Sequence, residues 1–391
     1  MQSKYQNLGI VASQQGAEEL GRFSIYTGEG KGKSTAALGV VLRSIGFGIL
    51  KNAKHRVGLI RFLKGKDRSY DEDAAILAIQ DRYPHLIDEV RFGRSEILSP
   101  EHLQSIDKEE AKRGWQVATG LILSGLYQVI VLDELNPLID LGLLDVTEVI
   151  YVLTQRPAHV EIIITGIKPS PQLMDLAELL SVHTPRFGEH PIPNVFFTTG
   201  PGKGKSTSSL GSALRAVGRS LTGADTLKVK VIQFLKGGPH GLYTEDAALA
   251  ALCQIKPDLI EHERYGRSCI VFKTLPKGVD PIQARQQVDY AFAESGFWSF
   301  HEAILSGNYQ LIVLDEIFPT LDLDLLPNGP SRLLELLQQK DPDVQVHLTG
   351  RCWETNPETQ ELLKVCASHT FIESRKHYSS QHSSRRPGID H

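Results

Sequence analysis

Short apolar runs rich in β-branched residues alternate with longer amphipathic stretches along most of the chain. In the N-terminal half these runs predict strands at FSIYT, VGLIRFL, DEVRF, QVIVLDE and VEIIITG. Helices are predicted to begin near Lys33, Asp71, Ser105, Asp145 and Ser170. The C-terminal half follows with strands at VFFTT, VKVIQFL, EHERY, QLIVLDE and VQVHLTG. Near-continuous apolar strands separated by helices predict an α/β fold, with a mostly parallel sheet covered on both faces.

The same motifs occur twice and in the same order. TGEGKGKSTAALG, which starts at Thr27, returns as TGPGKGKSTSSLG at Thr199, and FLKG at Phe62 returns at Phe234. RFGRS, LSGLYQVIVLDE and ITG likewise return as RYGRS, LSGNYQLIVLDE and LTG. The offset of roughly 170 to 185 residues is the length of one ordinary domain. We therefore predict a tandem duplication.

The composition between and around the copies predicts the domain boundaries. We place a first domain at residues 23–184 and a second at residues 195–374, preceded by an N-terminal arm at residues 1–22. Residues 185–194 are predicted to be a linker, because this stretch is rich in proline, glycine and polar residues. Residues 375–391 are predicted to be a disordered tail, since they are polar and lack apolar periodicity.

Each copy carries a glycine-rich loop between a strand and a helix, which predicts a nucleotide polyphosphate site. Glycines let successive N–H groups turn towards an anion, and the helix that follows adds its partial positive charge. Threonine stands where the strict GxxxxGK[ST] pattern has its first glycine, and a plain glycine turn is the weaker alternative. The predicted nucleotide-binding residues are Thr27, Gly28, Gly30, Lys31, Gly32, Lys33, Ser34 and Thr35, with Thr199, Gly200, Gly202, Lys203, Gly204, Lys205, Ser206 and Thr207 in the second copy.

Both copies also contain an apolar run that ends in two acids, typical of a strand that brings a carboxylate to a bound Mg²⁺. Asp133 and Asp315 are predicted to lie near the metal, directly or through water. Glu134 and Glu316 either bind the metal or orient a water, or are simply charges at a strand end, which is about as strong an interpretation. The predicted ligands of Mg²⁺ or Mn²⁺ are Ser34, Asp133, Glu134, Ser206, Asp315 and Glu316.

Charge and the N-terminal sequence narrow the class of protein. The formal net charge is -4, which argues against a surface that binds nucleic acid. The first residues lack a basic patch followed by an apolar stretch, so no signal peptide is expected, and the apolar runs are too short to span a bilayer. The four cysteines form no CxxC pair and are expected to be buried or free thiols. We expect a cytoplasmic protein without membrane or nucleic-acid partners.

The first copy closely resembles the P-loop corrinoid adenosyltransferases. The resemblance rests on TGEGKGKSTAALG with VLRSIGFG after it, on RFLKG, on YQVIVLDELNPLIDLGLLD and on HVEIIITGIKPSPQLMDLAELL, and it covers about residues 23–183. The second copy matches in its loop, FLKG, VLDE and LTG. The resemblance implies two RecA-like P-loop domains, each a mostly parallel sheet flanked by helices.

The resemblance also implies a reaction, in which Co(I) of a reduced corrinoid attacks C5′ of ATP and triphosphate departs. Lys33 and Lys205 would be the catalytic residues, since they would stabilise the charge on the leaving triphosphate. The implied small molecules are ATP, Mg²⁺ or Mn²⁺ and the corrinoid substrate, with a flavoprotein reductant as partner. Family members commonly form homodimers, so two fused copies would form an intramolecular pseudo-dimer. The alternative is a non-catalytic ATP-binding protein with a regulatory or partner-binding role.

The second hypothesis is motivated by a segment in which both copies depart from the family. The family typically carries a Phe–Thr–Trp element that faces the corrin, and here the corresponding stretches read FGRSEIL and YGRSCIVF. Arg94 and Arg267 stand at this place; they would either grip a phosphate or corrin side chain or be solvated loop arginines. Trp115 and Phe297 fall at matching helical positions and are expected to be packing residues.

Overall fold

The computed structural model describes residues 21–51, 55–66, 68–94, 98–223, 228–238, 243–352 and 357–376. All but the last two residues of the predicted N-terminal arm lie outside the described residues. The same holds for the predicted tail, of which only the first two residues are described.

The first half contains strands and helices in near-regular alternation. Its strands are β1 Phe23–Thr27, β2 Val57–Arg61, β3 Ile87–Arg91, β4 Val129–Asp133, β5 Glu161–Thr165 and β6 Leu179–Arg186. Its helices are α1 Lys33–Lys51, α2 Asp73–Arg82, α3 Ser105–Leu123, α4 Leu135–Asp140, α5 Val146–Thr154 and α6 Pro171–Leu176, with a 3-10 turn at Pro100–His102. The five strands predicted for this half are confirmed, and the helices begin within two residues of their predicted starts.

The second half repeats this order. Its strands are β7 Ile192–Thr199, β8 Lys228–Phe234, β9 Ile260–Tyr265, β10 Tyr309–Asp315, β11 Gln345–Thr349 and β12 Cys366–Lys376. Its helices are α7 Lys205–Thr222, α8 Thr244–Ile255, α9 Gln287–Leu305, α10 Ile317–Asp322, α11 Gly329–Gln339 and α12 Pro357–Lys364, with a 3-10 turn at Pro281–Gln283. The predicted duplication is therefore visible element by element.

The strands of both halves form a single sheet of twelve strands. Its order is β3-β2-β4-β5-β1-β6-β12-β7-β11-β10-β8-β9, so the second half repeats the first in reverse across the sheet. Neighbouring strands are parallel except β6 and β12, which pair antiparallel where the halves meet. The predicted fold class, two RecA-like domains with mostly parallel sheets flanked by helices, is confirmed.

The strands β6 and β12 were not predicted, and they change the interpretation of the linker. β6 extends to Arg186 and β7 begins at Ile192, so only residues 187–191 of the predicted linker connect the two strands. Residues 185 and 186 are held in the sheet because they pair with Thr370 and His369 of β12. The start of this stretch is a strand despite its composition, because β12 supplies hydrogen-bond partners for its backbone.

The two helices that follow the glycine loops, α1 and α7, pack against each other at the junction. A methyl group added at Gly39 would lie 1.7 Å from the carbonyl oxygen of Thr207, and one added at Gly211 would lie 1.9 Å from that of Thr35. One apolar core cluster contains side chains of both helices, such as Val41 and Leu214. The opposite face of the sheet carries a separate core in each half.

Helix α1 also satisfies the length and composition of a membrane span. It is the one such helix among the described residues, and 72% of its span from Lys33 to Leu50 is buried inside the protein. Packing against α7 and the sheet accounts for its apolar surface. Cys253, Cys269 and Cys366 are free thiols, and Cys366 is buried, as the sequence predicted.

Candidate functional site

The first glycine loop, residues 28–32, joins the end of β1 to the start of α1. Gly28 and Gly32 have φ values of 101° and 94°, in the left-handed region that favours glycine. A methyl group at Gly28 would lie 2.3 Å from the carbonyl oxygen of His183 in β6, so the loop also lies tightly against that strand. Lys33 Nζ donates to the carbonyl oxygens of Gly28 and Gly30, both at 2.8 Å. The ammonium group is thus folded back over the loop.

The second glycine loop, residues 200–204, repeats this geometry. Gly200 and Gly204 have φ values of 104° and 117°, and Lys205 Nζ donates to the carbonyl oxygen of Gly202 at 2.6 Å. The backbone N–H of Gly202 donates to the Ile372 carbonyl oxygen of β12 at 2.8 Å, as that of Gly30 does to His183. The two loops therefore have matching geometry, and each is held by the last strand of its own half.

Burial lowers the pKa of both loop lysines. It lowers the pKa of Lys33, while Glu134, Glu29 and Asp133 raise it by their negative charge. Burial lowers the pKa of Lys205 to about 8, and Glu316 opposes this effect. A polyphosphate would add negative charge beside each ammonium group and favour its protonated form.

The predicted acids of the first half meet the loop at the carboxyl ends of β1 and β4. Asp133 is buried and accepts a hydrogen bond from Thr165 Oγ1 at 2.7 Å. Glu134 has a φ of 61°, and Ser34 and Lys33 lie near its carboxylate. Burial first and Asp133 second raise the pKa of Glu134. The structure therefore brings Ser34, Asp133 and Glu134 together with Lys33.

These side chains offer hard oxygen donors, which suit Mg²⁺ or Mn²⁺. Within the described residues, no group of three or more histidine, cysteine and acidic side chains converges on one point. A hydroxyl and two carboxylates leave coordination positions for phosphate oxygens and water, as Mg²⁺ bound with a nucleotide requires. The donor set of the first half fits the metal predicted for it.

The acids of the second half are arranged differently. Asp315 is fully buried and accepts from Lys236 Nζ at 2.9 Å, Gln233 Nε2 at 2.9 Å and Thr349 Oγ1 at 2.6 Å. Although burial raises the pKa of Asp315, Lys236 and these hydrogen bonds hold it well below its usual range. Glu316 has a φ of 61°, and burial and Asp315 raise its pKa.

The contrast with the first half comes from neighbouring residues of the FLKG motif. Lys64, which corresponds to Lys236, lies over the ring of Tyr70 with its Nζ 4.5 Å from the ring centroid. Arg61 takes the place of Gln233 and supplies positive charge near Asp133. In the second half the ammonium group of Lys236 supplies the positive charge beside Asp315.

A cavity opens beside the acids of the second half. Its volume is about 840 Å³, and its walls are partly apolar, since Ile270, Val271, Phe272, Pro319 and Leu323 line it. Lys236, Glu316 and Arg351 also line it. The segment around Ile270 stands where the corrin-facing aromatics were expected from the resemblance. The matching segment of the first half is residues 95–99, of which residues 95–97 lie outside the described residues.

Arg94 and Arg267 each bind an aspartate at the start of a helix, which corrects the alternative that they are solvated loop arginines. Arg94 Nε and Nη2 donate to the two carboxylate oxygens of Asp107 at 2.7 and 2.9 Å. Arg267 binds Asp289 in the same way at 2.7 and 2.8 Å. Each aspartate also caps the first turn of its helix, α3 or α9. Trp115 and Phe297 are buried, which confirms them as packing residues.

Several predicted loop residues hydrogen-bond with protein groups. The Thr199 hydroxyl lies 2.6 Å from His369 Nε2, and the Thr35 hydroxyl accepts from Arg215 at 2.6 Å. The carbonyl oxygens of Lys31 and Lys203 accept from Thr370 and Ser181. Thr27 ends β1, while Ser206 and Thr207 lie in the first turn of α7.

Sequence reasoning missed the threonines that hold the acids. Thr165 and Thr349 end β5 and β11 and bind Asp133 and Asp315, each through its hydroxyl. The signal was present, because both threonines belong to the repeated ITG and LTG motifs.

Comparison with known proteins gives the same division into two copies. The family described as ATP:corrinoid adenosyltransferase BtuR/CobO/CobP matches residues 19–187 and again residues 193–391. The uncharacterized protein all2391 of Nostoc sp. (strain PCC 7120) is 46% identical over 389 residues, which is 98% of each chain.

Two relatives named for an activity match a shorter stretch. The corrinoid adenosyltransferase CobA of Salmonella typhimurium is 31% identical over 167 residues, 43% of this chain and 78% of that protein. The corrinoid adenosyltransferase of Pseudomonas aeruginosa is 29% identical over 167 residues, 43% of this chain and 76% of that protein. Each of these proteins thus corresponds in length to about one half of the present chain.

Proposed function

The chain belongs to the ATP:corrinoid adenosyltransferase family BtuR/CobO/CobP, and from this membership we propose that it transfers the 5′-deoxyadenosyl group of ATP to Co(I) of a reduced corrinoid. Triphosphate is the other product, and the reaction would serve cobalamin biosynthesis or salvage. The observation that carries the proposal is the pair of strand–glycine loop–helix units, each with a lysine folded over the loop and acids beside it.

The glycine loops are the proposed sites for the triphosphate of ATP. The loop amides and the first turn of α1 would face the phosphates, with Lys33 placed at their distal end. Ser34, Asp133 and Glu134 would hold Mg²⁺ or Mn²⁺, which neutralises phosphate charge when it is bound. Lys205, Ser206, Asp315 and Glu316 are the matching residues of the second half.

The chemistry asks little of the protein beyond position and charge. The cobalt–carbon bond forms as the bond from C5′ to the triphosphate oxygen breaks, and the triphosphate leaves with that electron pair. The nucleophile belongs to the corrinoid, so no activated serine, cysteine or histidine is needed. Lys33 would stabilise the charge that develops on the leaving group, and the loop would hold C5′ in line with the cobalt.

The cavity beside Glu316 is the proposed place for part of the corrinoid. Ile270, Val271 and Phe272 offer an apolar wall where the family has aromatics, and Arg351 offers a positive charge for polar side groups of the macrocycle. The departure from the aromatic pattern also motivates a second candidate, an ATP-binding protein that has lost corrin chemistry and acts as a sensor or binding module.

We also propose the cellular setting and the assembly. A reduced corrinoid requires an electron donor, for which a cytoplasmic flavoprotein reductant is the proposed partner. The two halves would stand in for the two subunits of a homodimer, with the β6–β12 pairing and the α1–α7 contact as their interface. No membrane or nucleic-acid partner is part of the proposal.

The test follows triphosphate and adenosylated corrinoid together, with ATP, Mg²⁺ and chemically reduced corrinoid. Triphosphate is expected only when the reduced corrinoid is present. Lys33→Ala is expected to lower turnover roughly a hundredfold, because one preorganised positive charge at the leaving group is lost. Lys112→Ala, which removes an exposed lysine of α3, serves as the control and should leave turnover unchanged.

Lys205→Ala, assayed in the same way, separates the roles of the halves. Unchanged turnover in this variant would leave the second half as a scaffold. Phosphate release without corrinoid would contradict the proposal, and nucleotide binding without any turnover of reduced corrinoid would favour the second candidate.

A further inference from the structure

Residues of the second half contact the first glycine loop and the first turn of α1, one contact to each. Thr370 Oγ1 of β12 donates to the carbonyl oxygen of Lys31 at 3.2 Å. Arg215 of α7 donates through Nη1 to Thr35 Oγ1 at 2.6 Å. Thr35 lies in the first turn of α1, directly after Ser34, and is buried. The site of the first half is therefore completed by side chains from the second.

Arg215 has a second partner that fixes its direction. Its Nε donates to Glu72 Oε2 at 3.0 Å, and the other carboxylate oxygen of Glu72 accepts from Arg61 at 2.5 Å. Arg61 is fully buried and also binds Asp73 at 2.7 Å. Arg215 thus joins the first turn of α1 to the start of α2 and the end of β2. Charge-assisted hydrogen bonds in a buried network are among the stronger ones a protein makes.

The corresponding arginine of the first half does not reach the second loop. Arg43 stands at the matching position of α1, and its Nε lies 3.4 Å from Glu245 Oε1, so the ion pair across the junction is kept. Among the described residues, however, neither Arg43 Nε nor Thr207 Oγ1 has a hydrogen-bond partner. Of the two corresponding pairs, Arg215 with Thr35 and Arg43 with Thr207, only the first forms this hydrogen bond.

We propose that Arg215 is a positioning residue for the nucleotide site of the first half, and this rests on the proposed function. The amides of the first turn of α1 are the groups that face a phosphate, so their direction decides the affinity of the loop. Arg215 holds this turn through the Thr35 side chain. Arg215 is itself held in place by Glu72, which is bound to Arg61. The loop is then preorganised before the nucleotide arrives, which lowers the cost of binding.

The test measures nucleotide affinity at the first loop by titration calorimetry, in a chain whose second loop is silenced by Lys205→Ala. The probe is adenosine 5′-(β,γ-imido)triphosphate with Mg²⁺. Arg215→Met is expected to weaken binding roughly tenfold, the loss of one charge-assisted hydrogen bond. Arg215→Lys keeps the charge but cannot bind both Thr35 and Glu72. Its affinity for the analogue is expected to lie between those of the Lys205→Ala chain with Arg215 intact and of the Arg215→Met variant. Arg43→Met removes the matching ion pair and is expected to leave this affinity unchanged.

A double-mutant cycle with Thr35→Val separates positioning from direct contact. If Thr35 acts through Arg215, the losses of the two single variants overlap in the double variant; additive losses would overturn the inference. Thermal unfolding verifies that each variant is folded, and Arg215→Lys serves if Arg215→Met is not. Wild-type affinity in a folded Arg215→Met chain would overturn the inference and leave the proposed function standing. If the Lys205→Ala chain does not bind the analogue, the inference is overturned alone when the parent chain still binds it, and together with the proposed function when the parent does not.

Discussion

His55 is a buried histidine that hydrogen-bonds and packs through its ring. Its Nε2 lies 2.6 Å from Ser44 Oγ, and its ring meets that of Phe47 edge-on with the centroids 4.9 Å apart. Burial lowers the pKa of His55 from 6.5 to about 4. Between these two values the unfolded chain binds a proton that the folded chain does not, so acid favours unfolding there.

We predict that His55→Gln makes the stability of the protein less sensitive to acid. The stabilising contribution of the neutral ring is fully present above pH 6.5 and is lost as the pH falls towards about 4. From about pH 7 to about pH 5, one such histidine lowers the free energy of unfolding by about 2 kcal/mol. Urea denaturation at both pH values measures this difference, with the exposed His85→Gln as control. An equal fall in the parent and the His55 variant would contradict the prediction.

His55→Gln is expected to reduce the acid sensitivity of the free energy of unfolding without abolishing it, because other buried histidines also have lowered pKa values. Burial lowers the pKa of His183, His262 and His347 to about 4 as well. At this scale the sequence predicted the loop lysines and strand-end acids, because a local pattern places them. It could not predict Arg215 as the partner of Thr35, since that contact depends on how the two halves come together, whereas Thr165, which binds Asp133, was missed although it belongs to the repeated ITG motif.

The crossing of α1 and α7 depends on two glycines. A side chain at Gly39 would collide with the Thr207 carbonyl, and one at Gly211 with the Thr35 carbonyl. Both colliding atoms belong to backbone, which cannot turn aside as a flexible side chain can. The close approach of these helices also brings the first turns that follow the two glycine loops to the junction.

We predict that Gly39→Ala destabilises the protein although alanine favours a helix. Overpacking against backbone costs about 1–3 kcal/mol or more, which exceeds the gain of up to about 1 kcal/mol from helix propensity. Gly120→Ala is the matched control, because Gly120 lies exposed within α3 and an added methyl group meets nothing within 4 Å. Urea denaturation should show a less stable Gly39 variant and a Gly120 variant at least as stable as the parent. Equal stability of the two variants would show that the helices can move apart freely.

Most of the strands that the sequence predicted contain continuous apolar runs. The strands β6 and β12 were missed because polar residues interrupt them, as in LLSVHTPR, and because each has a partner strand in the other half. The helices α4 and α10 were missed for another reason: they span six residues each and follow the strand-end acids without a break in the apolar pattern.

At the scale of the whole molecule, the halves share both hydrogen bonds and an apolar core. The sheet is continuous through β6 and β12, and one core cluster includes residues of α1 and α7 together. Separation of the halves would expose this cluster and leave two strand edges unpaired. The two halves are therefore joined more closely than two domains on a flexible linker.

We predict that the chain unfolds in one cooperative transition. Leu153→Ala and Leu333→Ala each remove a fully buried side chain from the separate core of one half, at an expected cost of about 2–5 kcal/mol. If the shared junction couples the halves, scanning calorimetry shows a single transition in the parent, and each variant moves all of it to lower temperature. If the halves unfold independently, each variant splits the transition, since its own half melts early while the other keeps the temperature of the parent. Addition of the nucleotide analogue with Mg²⁺ should raise the single transition as a whole, because a ligand bound to one half then stabilises both.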